Sequence, residues 1–206
     1  MPASGQALSM RKCLGRLARR SRRDDIVGMG SMSRVAVVAL AWLAAALPGA
    51  AGEGDQAMSS ELAISSPAFT DGQPIPAKFT ADGANLSPAL VIAKPPPGTA
   101  CYALIVDDPD APMGTWVHWV AWNIPSGTTA IPEGKLPAGS VEGRNSWGRT
   151  GYGGPSPPSG THHYHFKLYA LDRTLELPRT TDKAALIDAM KGRVLARAQL
   201  IGTYRR

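Results

Sequence analysis

Cysteine is nearly absent from this chain of 206 residues: only Cys13 and Cys101 occur, and Cys101 alone lies beyond residue 52. A lone cysteine cannot form an internal disulfide, and with no Cys-x-x-Cys or His-x-x-x-His spacing the familiar zinc-site patterns are excluded. Cys101 itself sits in an apolar run and reads as a buried, inert thiol. Aromatic residues make up only 6% of the chain, with three phenylalanines. No Rossmann or P-loop pattern and no internal repeat occurs, and Gly-x-Ser-x-Gly is missing. Positive charge is missing where a nucleic-acid face would need it. Residues 1–52 hold eight Lys/Arg against Asp24 and Asp25, whereas residues 53–206 hold fourteen of each sign. The net +6 therefore belongs to the N-terminal stretch, and nucleic acid is not an expected partner.

The one long apolar run, Val35–Leu47, is too short for a span of ~20 residues. Arg34 precedes it, and Pro48-Gly49-Ala50-Ala51-Gly52 follows. A basic flank, an apolar stretch and a small-residue junction are the parts of a secretory signal. Residues 1–52 are thus expected to be a leader cleaved near Ala51, giving a periplasmic or secreted protein with no integral span after processing. A retained N-terminal anchor is the alternative. The basic stretch before it is long, which favours Met29 or Met32 as the true start. Ser21-Arg22-Arg23 resembles a twin-arginine signal, but Asp24 and Asp25 follow where apolar residues would be needed. Residues 53–60 read as a polar tether and 61–206 as one domain.

Within that domain short β-like runs alternate with Gly/Pro turns: Leu62–Ser65, Ala77–Thr80, Leu90–Ala93, Cys101–Val106, Val117–Ile124 and Tyr164–Leu171. Eighteen prolines and twenty-two glycines fit poorly into helices. The pattern predicts a mainly β fold, an antiparallel β-sandwich or barrel, with one or two short helices. One helix is expected near the C-terminus, capped by Thr181, with a stripe of Ala185, Leu186, Ala189 and Met190, ending at Gly192. A final strand is expected over Leu200–Tyr204.

The chemistry concentrates between Asp107 and Phe166, which hold all four histidines, four of the five tryptophans and the carboxylates of Asp107, Asp108 and Asp110. Strand alternation puts His162, Tyr164, Phe166 and Leu168 on an inner face and His163 and His165 outside. It likewise groups Trp116, His118, Val120 and Trp122. Two half-buried imidazoles beside carboxylates could hold a phosphate, a carboxylate or a metal.

Asp108-Pro109-Asp110-Ala111-Pro112, then His118-Trp119, then Gly154-Pro155-Ser156-Pro157-Pro158-Ser159-Gly160-Thr161-His162, resembles the phosphatidylethanolamine-binding protein family. The bacterial YbhB/YbcL, Raf-kinase-inhibitor-like branch is the nearest likeness. Asn85-Leu86-Ser87-Pro88, Trp122-Asn123-Ile124-Pro125 and Leu200-Ile201-Gly202-Thr203-Tyr204 agree, so the resemblance spans about residues 61–206. It implies a β-sandwich with a small anion pocket for phosphate-type or phosphoethanolamine-like head groups, no catalytic reaction and no cofactor. Asp108, His118, Pro157, His162 and Tyr164 fall on matching motif positions, while Asp110, Trp116, Tyr152 and Gly154 are expected in or beside the wall. His163 stands where the family often has arginine. Backbone N–H groups at Gly153 and Gly154 are candidate anion donors, and Asp108 would orient a histidine or meet an ammonium group.

Plainer readings stand beside these. Asp107–Pro112 alone is a rigid turn, and Trp147 and Tyr152 are loop anchors. A metal site would draw on Asp108, Asp110, His118 and His162. A hydrolase would need a base beside Ser156, and none is evident. An interaction protein inhibiting a protease or kinase through its surface is the alternative function, and a homodimer is left open.

Overall fold

The computed structural model describes residues 61–206; the expected leader and tether lie outside the described residues. Eight strands and one α-helix follow in order: β1 (Ala63–Ser65), β2 (Leu90–Ala93), β3 (Cys101–Asp108), β4 (Trp116–Pro125), β5 (Ala130–Ile131), β6 (Val141–Glu142), β7 (Thr161–Leu171), α1 (Lys183–Met190) and β8 (Val194–Arg205). They form two antiparallel sheets, β1-β2-β5 and β6-β4-β3-β7-β8. The expected mainly β sandwich is the observed architecture.

The apolar pattern explains the layering. All eight residues of β3 are buried, because the strand is covered on both faces. On one face Tyr102, Leu104 and Val106 join Trp119, Phe166 and Leu168, and the small sheet closes over them with Ile64, Leu90, Ile92 and Ile131. On the other face Cys101, Ala103, Ile105, Val120 and Trp122 pack under Leu186 and Met190 of α1. Cys101 is buried there, its thiol donating to the Arg173 carbonyl at 3.2 Å.

Four local expectations are corrected. Ala77–Thr80 is not a strand: Ala77–Phe79 forms a 3-10 turn behind Pro76, whose fixed φ suits a turn entry. The helix cap is Asp182, whose carboxylate accepts from the Ala185 N–H at 2.9 Å, and not Thr181. The third correction concerns β4. Val106 pairs with Trp119 but Asp107 with Val117, leaving His118 as an extra residue in a β-bulge. The bulge breaks alternation, so Trp116 and His118 face one way with Trp119, while Val120 and Trp122 point toward α1. The predicted grouping of those four residues is split there.

The final strand runs from Val194, well before the expected Leu200, because β8 pairs with β7 along its whole length.

A glycine holds β6 against this framework. A Cβ on Gly143 would lie 2.3 Å from the Thr181 carbonyl oxygen and 2.7 Å from the Trp122 ring. Both neighbours are fixed, one as backbone and the other as a fully buried indole. Gly143→Ala should destabilise the protein by about 2 kcal/mol through overpacking, read as a lower urea midpoint with unchanged slope. An unchanged midpoint would show that the β4–β6 edge yields freely.

Candidate anion-binding site

At one end of the large sheet the close of β3 and the starts of β4 and β7 meet beneath two proline-rich loops. They enclose a cavity of about 250 Å³. Asp108, Trp116, His118, Pro157, His162 and Tyr164, all expected at the site, line it together.

The two histidines are held the same way by different partners. His118, only 2% exposed, donates from Nδ1 to the Gly153 carbonyl at 2.6 Å. His162 Nδ1 lies 2.7 Å from Asp108 Oδ2, and Asp108 Oδ1 accepts from the Asp110 N–H at 2.9 Å. With each Nδ1 occupied, Nε2 is the unengaged nitrogen of both rings among the described residues. Asp108 therefore orients a histidine, and both of its oxygens are already in use.

Electrostatics separate the roles further. Burial holds the His118 pKa below its ordinary 6.5, partly offset by the Gly153 carbonyl and the Asp108 and Asp107 charges. At neutral pH the ring is uncharged, its proton sits on Nδ1 and Nε2 carries a lone pair. Tyr164 is 1% exposed and stands edge-on to His118 at 5.1 Å. Burial, then the Asp108 charge, pushes its phenol well above the ordinary range, so it stays a neutral O–H. By hydrogen-bond geometry that buried hydroxyl has no partner among the described residues, although the Ser156 backbone N–H lies near enough to oppose the rise in its pKa. An unpaired buried hydroxyl is costly, and a ligand oxygen would relieve it.

Three expected contacts lie outside the lining. Asp110 is exposed on the loop, where Oδ2 accepts from the His163 backbone N–H at 2.8 Å and contacts its Nδ1 at 2.7 Å. The Tyr152 hydroxyl donates to the Phe79 carbonyl at 2.9 Å, and its ring packs on Trp119. Gly154 supports from behind: a Cβ there would lie 2.7 Å from the Phe79 oxygen and 2.8 Å from Asn85 Oδ1. The expected backbone donors are also taken. Gly153 N–H donates to the His118 carbonyl at 2.9 Å, and Gly154 N–H to Asn85 Oδ1 at 2.7 Å. Asn85 can present that oxygen because it adopts a left-handed conformation, φ 56°, which asparagine tolerates.

Sequence reasoning missed Trp147 and Met113 as wall residues. Trp147 lies edge-on to His118 at 5.1 Å and to Trp116 at 5.4 Å, and a Cβ on Gly153 would strike its ring. The available signal was a large indole in a polar loop with no strand to bury it. Met113, 93% exposed at the mouth, had no such signal. Among the described residues no group of three or more His, Cys, Asp or Glu is placed to hold a metal ion.

Comparisons with known proteins identify the family and the fold. The family model described as phosphatidylethanolamine-binding protein matches residues 65–205. A UPF0098 protein of Methanothermobacter thermautotrophicus is 49% identical over 144 residues, covering 68% of this chain and 95% of that one. A second UPF0098 protein, from Pyrococcus horikoshii, is 44% identical over 184 residues, covering 85% and 91%. The candidate lipoprotein LppC of Mycobacterium tuberculosis is 44% identical over 145 residues, covering 69% and 72%. Among solved structures, the phosphatidylethanolamine-binding protein homologue CT736 of Chlamydia trachomatis superposes with a TM-score of 0.69 at 37% identity, covering 72% of this chain and 99% of that one. YbcL of E. coli, described as a new member of the mammalian family, gives 0.67 at 32%, covering 71% and 99%. The matching motifs, the two-sheet fold and these relatives together establish that the chain belongs to the phosphatidylethanolamine-binding protein family, in its YbcL-like branch.

Proposed function

We propose that the domain over 61–206 is an exported, non-enzymatic binding protein whose cavity takes a small phosphorylated head group, such as phosphoethanolamine or its phosphate moiety. The observation that carries this reading is the unpartnered Tyr164 hydroxyl between two imidazoles whose Nδ1 atoms are already tied. Three polar groups converge on one small volume, and a tetrahedral anion can accept from all three once the histidines are protonated. Trp116 and Trp147 supply aromatic faces on which an ammonium group can rest. The proline-rich loops limit the entropy lost on binding.

Binding without turnover fits the family, and among the described residues no Ser, Thr or Cys hydroxyl or thiol hydrogen-bonds to either imidazole as a nucleophile–base pair would. Export draws support from the leader-like residues 1–52 and from the lipoprotein name of the mycobacterial relative. No helix among the described residues is long and apolar enough to cross a membrane.

Titration of the four imidazoles by NMR, with and without phosphoethanolamine, tests the site. The His118 and His162 signals should shift on binding and the depressed His118 pKa should rise, while the His163 and His165 signals keep their positions. If neither phosphoethanolamine nor inorganic phosphate moves any histidine, the pocket reading fails. Inhibition of a protease that survives replacement of His118 and His162 would instead favour action through the surface.

A further inference from the structure

Three neighbouring residue pairs are split between the anion cavity and a second cavity behind it. His118, Trp147 and Asp108 line the first. Val117 and Ser146 line the second, and Asp107 holds its Lys183. Alternation along β3 and β4 places the two on opposite faces of the large sheet. The second cavity, about 440 Å³, lies between the start of β4, the stretch 144–146 and the first turn of α1. Its floor is firm, because Val117 N–H donates to Ser146 Oγ at 2.8 Å and Ser146 N–H returns a bond to the Val117 carbonyl at 2.9 Å.

The charges around it do not balance. Asp107 is fully buried and is shared by Lys167, at 2.7 and 2.9 Å from its two oxygens, and Lys183 at 2.5 Å. Asp182 is engaged with the Ala185 N–H as the helix cap. Arg144 lines the cavity and makes no ion pair or side-chain hydrogen bond among the described residues; only its backbone N–H is used, donating to the Thr181 carbonyl at 2.7 Å. The lining itself carries two cations, Arg144 and Lys183, against one carboxylate, Asp182, while the buried Asp107 is shared between Lys183 and Lys167, which lies outside the lining. One positive charge is left over, on a planar guanidinium suited to a two-oxygen acceptor. Beside it the walls are apolar: Val117, Ala184 and Ile187, the last 38% exposed.

We propose that this second cavity is a binding site for a monoanionic carboxylic acid with a short apolar body, its carboxylate on Arg144 and its hydrocarbon against Val117, Ala184 and Ile187. A monoanion matches the single excess charge, whereas a dianion would meet the Asp182 carboxylate uncompensated. The inference does not depend on what the first cavity holds.

An amide-resolved NMR titration of the full chain with benzoate tests it, with benzylamine as a cation of similar shape. Benzoate should give saturable shifts at Val117, Ser146, Lys183 and Ala184, and benzylamine should not. Arg144→Gln should weaken benzoate about tenfold, as expected for losing one charged hydrogen bond, and leave the phosphoethanolamine response of His118 and His162 unchanged. Ile187→Asp, also at an exposed position, should weaken benzoate at least as much. The proposal is overturned if benzoate shifts only the residues around His118 and Trp116, if benzylamine binds equally well, or if Arg144→Gln binds like the parent. A failed phosphoethanolamine titration would sink the first site alone.

Discussion

Glycerophosphoethanolamine should bind more tightly as the pH falls, by about tenfold per pH unit over the window between the free and bound pKa values of His118. Its phosphodiester stays a monoanion and its amine a cation throughout the range, so the slope belongs to the protein. In the empty cavity burial holds the His118 pKa below 6.5, and the Nδ1 proton is committed to Gly153. A neutral ring then presents the Nε2 lone pair to the anion, which repels it. Protonation turns Nε2 into a charged donor, so binding takes up a proton and raises the pKa. The groups acting on His118 are Tyr164, Trp147 and, through their charges, Asp108 and Asp107.

His118→Gln should bind about 10- to 100-fold more weakly at low pH and lose that part of the slope, since the amide cannot be charged. His162→Gln separates the second imidazole's share. Isothermal titration calorimetry at several pH values reads both. An affinity flat with pH in the parent protein would show that neutral donors alone hold the ligand.

For folding of the empty protein the sign is opposite. The depressed His118 contributes stability above the ordinary imidazole range, and this is lost as the pH falls toward the folded-state value.

Asp107→Ala should cost about 3 kcal/mol, the low end for removing one member of a buried ionic group. The carboxylate is wholly buried on β3 and accepts from two lysines on two different elements, β7 and α1. Removal leaves both ammonium groups without a partner. Their side chains are 28% and 25% exposed, so each can turn partly to water, which keeps the loss from the upper end. Thermal unfolding should drop by about 6–12 °C for a domain of this size. The Asp188–Lys191 pair, with side chains more than 70% exposed, is the control: Asp188→Ala should leave the midpoint within error. An equal loss from both variants would mean that the buried triad is no more than a surface pair.

Much of the fold was legible because its signals are local. Alternation in Thr161–Leu171 places His162 and Tyr164 inward and His163 and His165 outward, as the burial pattern of β7 shows. The apolar run at Cys101–Val106, bounded by turns, marks a central strand covered on both faces. The bulge at His118 was not legible, because an extra residue is defined only by the register of the partner strand, and strict alternation misassigns every side chain beyond it. Tyr152 and Gly154 fell outside the cavity for a related reason. Their neighbours are Phe79 and Asn85, about 70 residues away, so no local pattern can show that their polar groups are already used.

The mainly β class, the lack of an internal disulfide in the domain and the family motifs that gather Asp108, His118, Pro157, His162 and Tyr164 can all be read from the amino acids in order. Those properties depend on residue type and short spacing. Folding was needed to show, among the described residues, which nitrogen of each imidazole is free, that the Tyr164 hydroxyl lacks a geometric partner, and that Asp107 and Asp108 serve opposite faces of the sheet. Hydrogen-bond satisfaction and burial depend on atoms brought together from distant parts of the chain, and these set the charge state of a site.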